Sequence, residues 1–182
     1  ATLLVGPFYP PQTLRLSAME IGLVLSVGPL VAALTGVPAG RIVDRCGAPG
    51  ITLAGLLGMA LGCLMLSVVP ESFGVGGYLA PMVVLTLGYA VFQTANNTAV
   101  MLDVAPDQRG VVSGLLNLSR NLGLVTGASA LSAVFALASR AVDIGTAHPQ
   151  AIASGLRTTF LVALGLIVVA CLIAWRRQAN GR

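Results

Sequence analysis

The chain has 182 residues, 56% hydrophobic and 9% charged, with a mean hydropathy of +0.91; soluble domains carry about 25% charged residues, so a soluble core this apolar would lack polar surface to cover it, and a lipid bilayer is the expected solvent. The net charge of +4 comes from ten arginines against six acids, with no lysine. Those arginines stand mostly between apolar runs and form no basic face, which excludes nucleic acid as the partner behind a pI near 9.5.

A membrane-spanning helix needs about 20 consecutive apolar residues. The run 1–14 is apolar but short, so it is expected to be the tail of a first, partial helix. The chain starts without Met and inside an apolar run, which suggests a cut N-terminus. No charged leader or small-residue cleavage site marks a signal peptide. A second helix is expected over 20–40, introduced by the capping box Ser17-Ala18-Met19-Glu20. A third is expected over 48–70 and a fourth over 77–102. A fifth, over 109–138, contains one charge, Arg120; Pro106 and Asp107 suit its first turn, where a missing N–H is harmless and a carboxylate meets the positive dipole end. A sixth, over 156–175, ends at Trp175-Arg176-Arg177, an interface anchor. Small-xxx-small pairs recur at Gly36/Gly40, Gly58/Gly62, Gly110/Gly114 and Gly123/Gly127. Such pairs let helices approach closely in lipid and imply a packed bundle.

The loops alternate in charge. Arg41, Arg45, Arg109, Arg176, Arg177 and Arg182 fall on one membrane face, and Arg15, Arg140 and Arg157 on the other. The positive-inside rule makes the richer face, with the C-terminus, cytoplasmic. Cys46, Cys63 and Cys171 have neither metal-ligand nor redox spacing and read as small hydrophobes. His148 falls in an outer loop and reads as solvated. No metal or other cofactor is implied, and no Ser/His, paired-acid or metal constellation within the spans suggests an intramembrane enzyme.

Three features are candidates for function. Tyr89, Gln93, Asn96 and Asn97 form a polar stripe on the fourth helix. Polar groups in hydrocarbon cost several kcal/mol when unpaired, so these four must face protein or water, either as interhelical glue or as the lining of a cavity. Arg120 is expected about 15 Å into its helix, near the midplane. A charge there costs at least about 2.5–3.5 kcal/mol, so it needs a partner: backbone carbonyls in a structural role, or a substrate or coupling carboxylate in a functional one. The acids Glu20, Asp44, Glu71, Asp103, Asp107 and Asp143 all stand at helix ends or in loops. The third feature is GVPAGRIVDRCGAPG (36–50), which places Asp44 between Gly40 and Gly47 in a very short connection. The residues alone allow a solvated turn or a carboxylate that latches two elements at the membrane surface.

Gly40-x-x-x-Asp44-Arg45-x-Gly47 resembles the cytoplasmic loop motif of the major facilitator superfamily, with Ala48-Pro49 where the motif has its closing basic pair. The run 88–127, GYAVFQTANNTAVMLDVAPDQRGVVSGLLNLSRNLGLVTG, resembles the tenth and eleventh helices of that family, most of all in its 14-helix drug:proton antiporters. The resemblance implies an all-α membrane fold, in which residues 1–182 form the C-terminal six-helix half, built of inverted three-helix repeats, of a two-half transporter. It implies a secondary transporter of small organic molecules in the cytoplasmic (inner) membrane, exporting by proton antiport, with the N-terminal half of the same transporter as partner. It also implies a substrate cavity at Tyr89, Gln93, Asn96, Asn97 and Arg120, and a conformational latch at Gly40, Asp44, Arg45 and Gly47. A metabolite uptake permease of the same fold and a membrane scaffold or sensor are the alternatives.

Overall fold

The computed structural model describes residues 18–68, 74–139 and 149–180. These form five helices: α1 (Ala18–Cys46), α2 (Ala48–Val68), α3 (Gly74–Met101), α4 (Arg109–Ser139) and α5 (Pro149–Asn180). Each is long and apolar enough to cross a membrane, and the described residues contain no strand. The expected first helix, Ser17 of the capping box and His148 lie outside the described residues.

Several boundaries differ from the sequence reading. α1 continues through Arg41, Asp44 and Arg45 to Cys46, so these charges sit on the last turns of a helix and not in a loop. The connection to α2 is Gly47 alone. Its φ of +84° suits a residue without a Cβ, and its N–H donates to the Val43 carbonyl at 2.9 Å, the left-handed cap that satisfies an orphan carbonyl at a helix end. Pro49 then falls in the first turn of α2, where it removes no hydrogen bond. Pro106 and Asp107 precede α4, in a turn where the Gln108 N–H reaches the Ala105 carbonyl at 3.0 Å; the Gln108 carbonyl then accepts the first bond of the new helix from Val112, also at 3.0 Å. α5 starts at Pro149, before the expected 156, and runs past Trp175 to Asn180.

α2 is the centre of the packing. It lies against α3 along much of its length and against α5 on its other side; α1 packs on α3, α4 packs on α5, and α3 and α4 barely touch. Glycines set the α2–α3 crossing. A Cβ at Gly55 would lie 2.5 Å from the Phe92 backbone nitrogen, one at Gly62 2.7 Å from that of Leu85, and one at Gly88 2.5 Å from that of Met59. The two backbones are thus in contact, the arrangement that gains most from dispersion where lipid removes any hydrophobic drive between helices. Of the four small-residue pairs, only Gly58/Gly62 meets another helix here; a Cβ at Gly36, Gly40, Gly110, Gly114, Gly123 or Gly127 would meet nothing within 4 Å among the described residues. Two buried clusters complete the bundle. Val43, Ala48 and the fully buried Ala95 lock the α1–α2 turn onto α3. Cys63, Phe135, Leu156 and Phe160 join α2, α4 and α5.

Candidate functional site

α3 and α4 meet through polar side chains. Tyr89, Gln93 and Asn97 are four residues apart on α3, so they stack along one face. Arg120 projects from the facing side of α4. Its Nη2 donates to Asn97 Oδ1 at 3.4 Å. The Gln93 amide, assigned with its oxygen toward Arg120 because that orientation satisfies both ends, accepts from Nη1 and Nη2 at 3.2 Å each and donates to the Tyr89 hydroxyl at 3.1 Å. The guanidinium is therefore forked over two amides, with a phenol behind one of them.

Helical side chains lean toward the N-terminus of their own helix, so Arg120 reaches back along α4. Its partners Gln93 and Asn97 stand eight and four residues before the end of α3 at Met101, about 12 and 6 Å in at 1.5 Å per residue. The charge consequently lies closer to the membrane face than its own Cα, which lowers its cost in hydrocarbon. Both partners are neutral, as is Tyr89 behind Gln93. Among the described residues no carboxylate pairs with Arg120, so its hydrogen bonds are met in part and its charge is not neutralised.

Asn96 departs from this group. Neighbouring helical residues point about 100° apart, and while Asn97 turns to α4, Asn96 lines a cavity of about 560 Å³ between α2, α3 and α5. Its walls include Pro49, Leu56, Phe92, Ile173 and Arg177, and none of Tyr89, Gln93, Asn97 or Arg120. The cavity lies at the end of the bundle that holds the α1–α2 turn. There the Gln178 side-chain amide donates to the Pro49 carbonyl and ties the end of α5 to the start of α2. Nothing in the sequence signalled this cavity, because its walls join α2 and α3 to α5, far along the chain; the isolated polarity of Asn96 was the only trace of it.

The motif residues share the same end. Asp44 and Arg45 are exposed on the last turn of α1, Gly40 is half-buried, and Gly47 is the cap. A carboxylate near a helix C-terminus opposes the helix dipole, so α1 itself does not favour Asp44, and among the described residues it has no ion-pair partner.

The model of the Major Facilitator Superfamily matches residues 1–181. Among curated proteins, the chain is 30% identical over 130 residues to the riboflavin transporter RibZ of Clostridioides difficile, a match covering 71% of this chain and 28% of the relative. It is 32% identical over 123 residues to the uncharacterized transporter YebQ of Escherichia coli, covering 68% and 27%. It is 30% identical over 122 residues to the multidrug efflux pump LfrA of Mycolicibacterium smegmatis, covering 67% and 24%. The chain thus spans only about a quarter of the length of the relatives it matches. No solved structure matches it significantly.

Proposed function

The chain belongs to the Major Facilitator Superfamily, and from that premise we propose that it is the C-terminal half of a secondary transporter that exports small organic molecules by proton antiport. In this reading an N-terminal half supplies the other wall of a central cavity and the coupling carboxylate, since the acids among the described residues, Glu20, Asp44, Asp103 and Asp107, stand at helix ends or in a loop. Substrate reaches the seam between α3 and α4, where Arg120, Gln93, Asn97 and Tyr89 contact it. The face carrying the α1–α2 turn and the end of α5 is cytoplasmic, and the membrane is the cytoplasmic one. Asp44 and its flanking Gly40, Arg45 and Gly47 act as a latch between the halves. The protein's role is transport and not catalysis.

One observation carries the reading: an un-neutralised guanidinium inside a span, oriented by three neutral groups across two helices that otherwise hardly touch. A purely structural arginine would gain more from a carboxylate or from close packing. The names of LfrA and the multidrug resistance protein MdtH of Cronobacter sakazakii support export. The name of RibZ supports a second reading, movement of a flavin-like metabolite.

The test is transport by the intact protein in everted vesicles with an imposed proton gradient, using a panel of lipophilic cations, riboflavin and other metabolites. Gradient-driven accumulation of at least one compound is expected. Accumulation that ignores the gradient would overturn antiport, and selective accumulation of riboflavin would favour the second reading.

A further inference from the structure

The cavity between α2, α3 and α5 has a composition that the transport reading does not use. Leu56, Phe92 and Ile173 make its wall apolar. The half-exposed Asn96 amide opens onto it and has no hydrogen-bond partner among the described residues, so it can donate to an occupant. Arg177, exposed on the last turn of α5, contributes a cation to the lining, and no carboxylate pairs with it among the described residues. Asn96 stands five residues before the end of α3, so its amide lies about 7 Å below that face.

An occupant must therefore carry an anionic group at the membrane surface, a hydrogen-bond acceptor a turn and a half deeper, and an apolar tail. The volume of about 560 Å³ falls within the range of specific ligand sites. We propose that the cavity holds an anionic diacyl phospholipid of the adjoining leaflet. Its phosphate is held by the Arg177 guanidinium, an ester carbonyl accepts from Asn96 Nδ2, and an acyl chain lies along Leu56, Phe92 and Ile173. Basic pockets between spanning helices recognise acidic headgroups in this way. A zwitterionic lipid brings an ammonium to the same mouth and loses the advantage of Arg177. The Gln178–Pro49 bond keeps the walls together, so the lipid would brace the ends of α2, α3 and α5. This inference holds whether or not the chain exports by proton antiport.

The experiment is native mass spectrometry of the purified intact protein, titrated with dioleoylphosphatidylglycerol or dioleoylphosphatidylcholine. Wild type is expected to retain the anionic lipid about fivefold better, the factor expected of one basic residue beside an anionic headgroup. Arg177→Gln is expected to bring that ratio to about one. Asn96→Leu is expected to lower retention of both lipids and keep the ratio. Should Asn96→Leu not fold, Ile173→Trp, at an exposed position of the wall, narrows the cavity and is expected to do the same. Arg157→Gln, exposed near the opposite end of α5, is expected to change nothing. Equal retention of the two lipids by wild type, or an Arg177→Gln ratio matching wild type, would overturn the proposal.

Discussion

α3 has two neighbours that it meets in opposite ways. Toward α2 it presents Gly88, and the two backbones touch over Gly55, Gly58 and Gly62. Toward α4 it presents Gln93 and Asn97, which accept from one arginine at 3.2 to 3.4 Å, with Tyr89 behind Gln93 and little other contact. Both solutions suit lipid, where apolar side chains gain nothing by leaving the solvent. They differ in what can replace them. A glycine crossing is a fixed shape that no ligand can substitute. A hydrogen-bonded charge can exchange one acceptor for another, so on the proposed reading a solute would compete at the α3–α4 seam while the α2–α3 pair stays together.

The largest expected effect breaks the rigid side. Gly88→Leu places a side chain against the Met59 backbone, which cannot move aside, and should cost about 3 kcal/mol or more; the expected outcome is loss of the monodisperse peak in detergent size-exclusion. Gly123→Leu, the same chemical change where nothing lies within 4 Å, should leave that peak intact. If both variants behave alike, the glycine crossing is not what holds the bundle.

On the seam, Arg120→Ala should preserve insertion and reduce transport at least about tenfold, in keeping with hydrogen bonds to a charged group at ~1.5–3 kcal/mol. Arg120→Lys should rescue little, because an ammonium does not fork over Gln93 and Asn97. Normal transport by Arg120→Ala would make the seam structural. Tyr89→Phe removes a single neutral bond, ~1 kcal/mol, and should raise KM about fivefold with the folded yield unchanged; an unaltered KM would place substrate away from that hydroxyl. The smallest effect is expected at Asp44→Asn. An exposed ion pair is worth ~0.5 kcal/mol, so the transport rate should fall about twofold at constant KM. An unchanged rate would return Asp44 to the status of a solvated charge.

Much of the architecture was legible because lipid leaves few alternatives. An 18-residue apolar stretch in a bilayer must be helical to satisfy its own backbone, and glycine and proline punctuate the α1–α2 turn. The stripe and Arg120 were legible for the same reason: polarity is costly there and stands out. The end of α1 was not, since Arg41, Asp44 and Arg45 look like a loop until the cap at Gly47 shows the helix running through them. The glycine pairs were legible as a class, yet spacing alone did not separate Gly58/Gly62 from Gly36/Gly40, because contact depends on which face another helix occupies.

The sequence by itself determined that this is a helical membrane protein, which face gathers its arginines, and which residues are too polar for lipid without a partner. These follow from composition and from periods of a few residues, where the energy per residue is large. The tertiary structure decided who meets whom. It turned Asn97 toward Arg120 and Asn96 toward a separate cavity, made Gly88 the pivot of the α2–α3 crossing, and brought Arg177 to the same pocket as Pro49. Such pairings join residues far apart in the chain. They depend on helix rotation and crossing, which are set by the sum of many weak contacts and leave no local mark in the sequence.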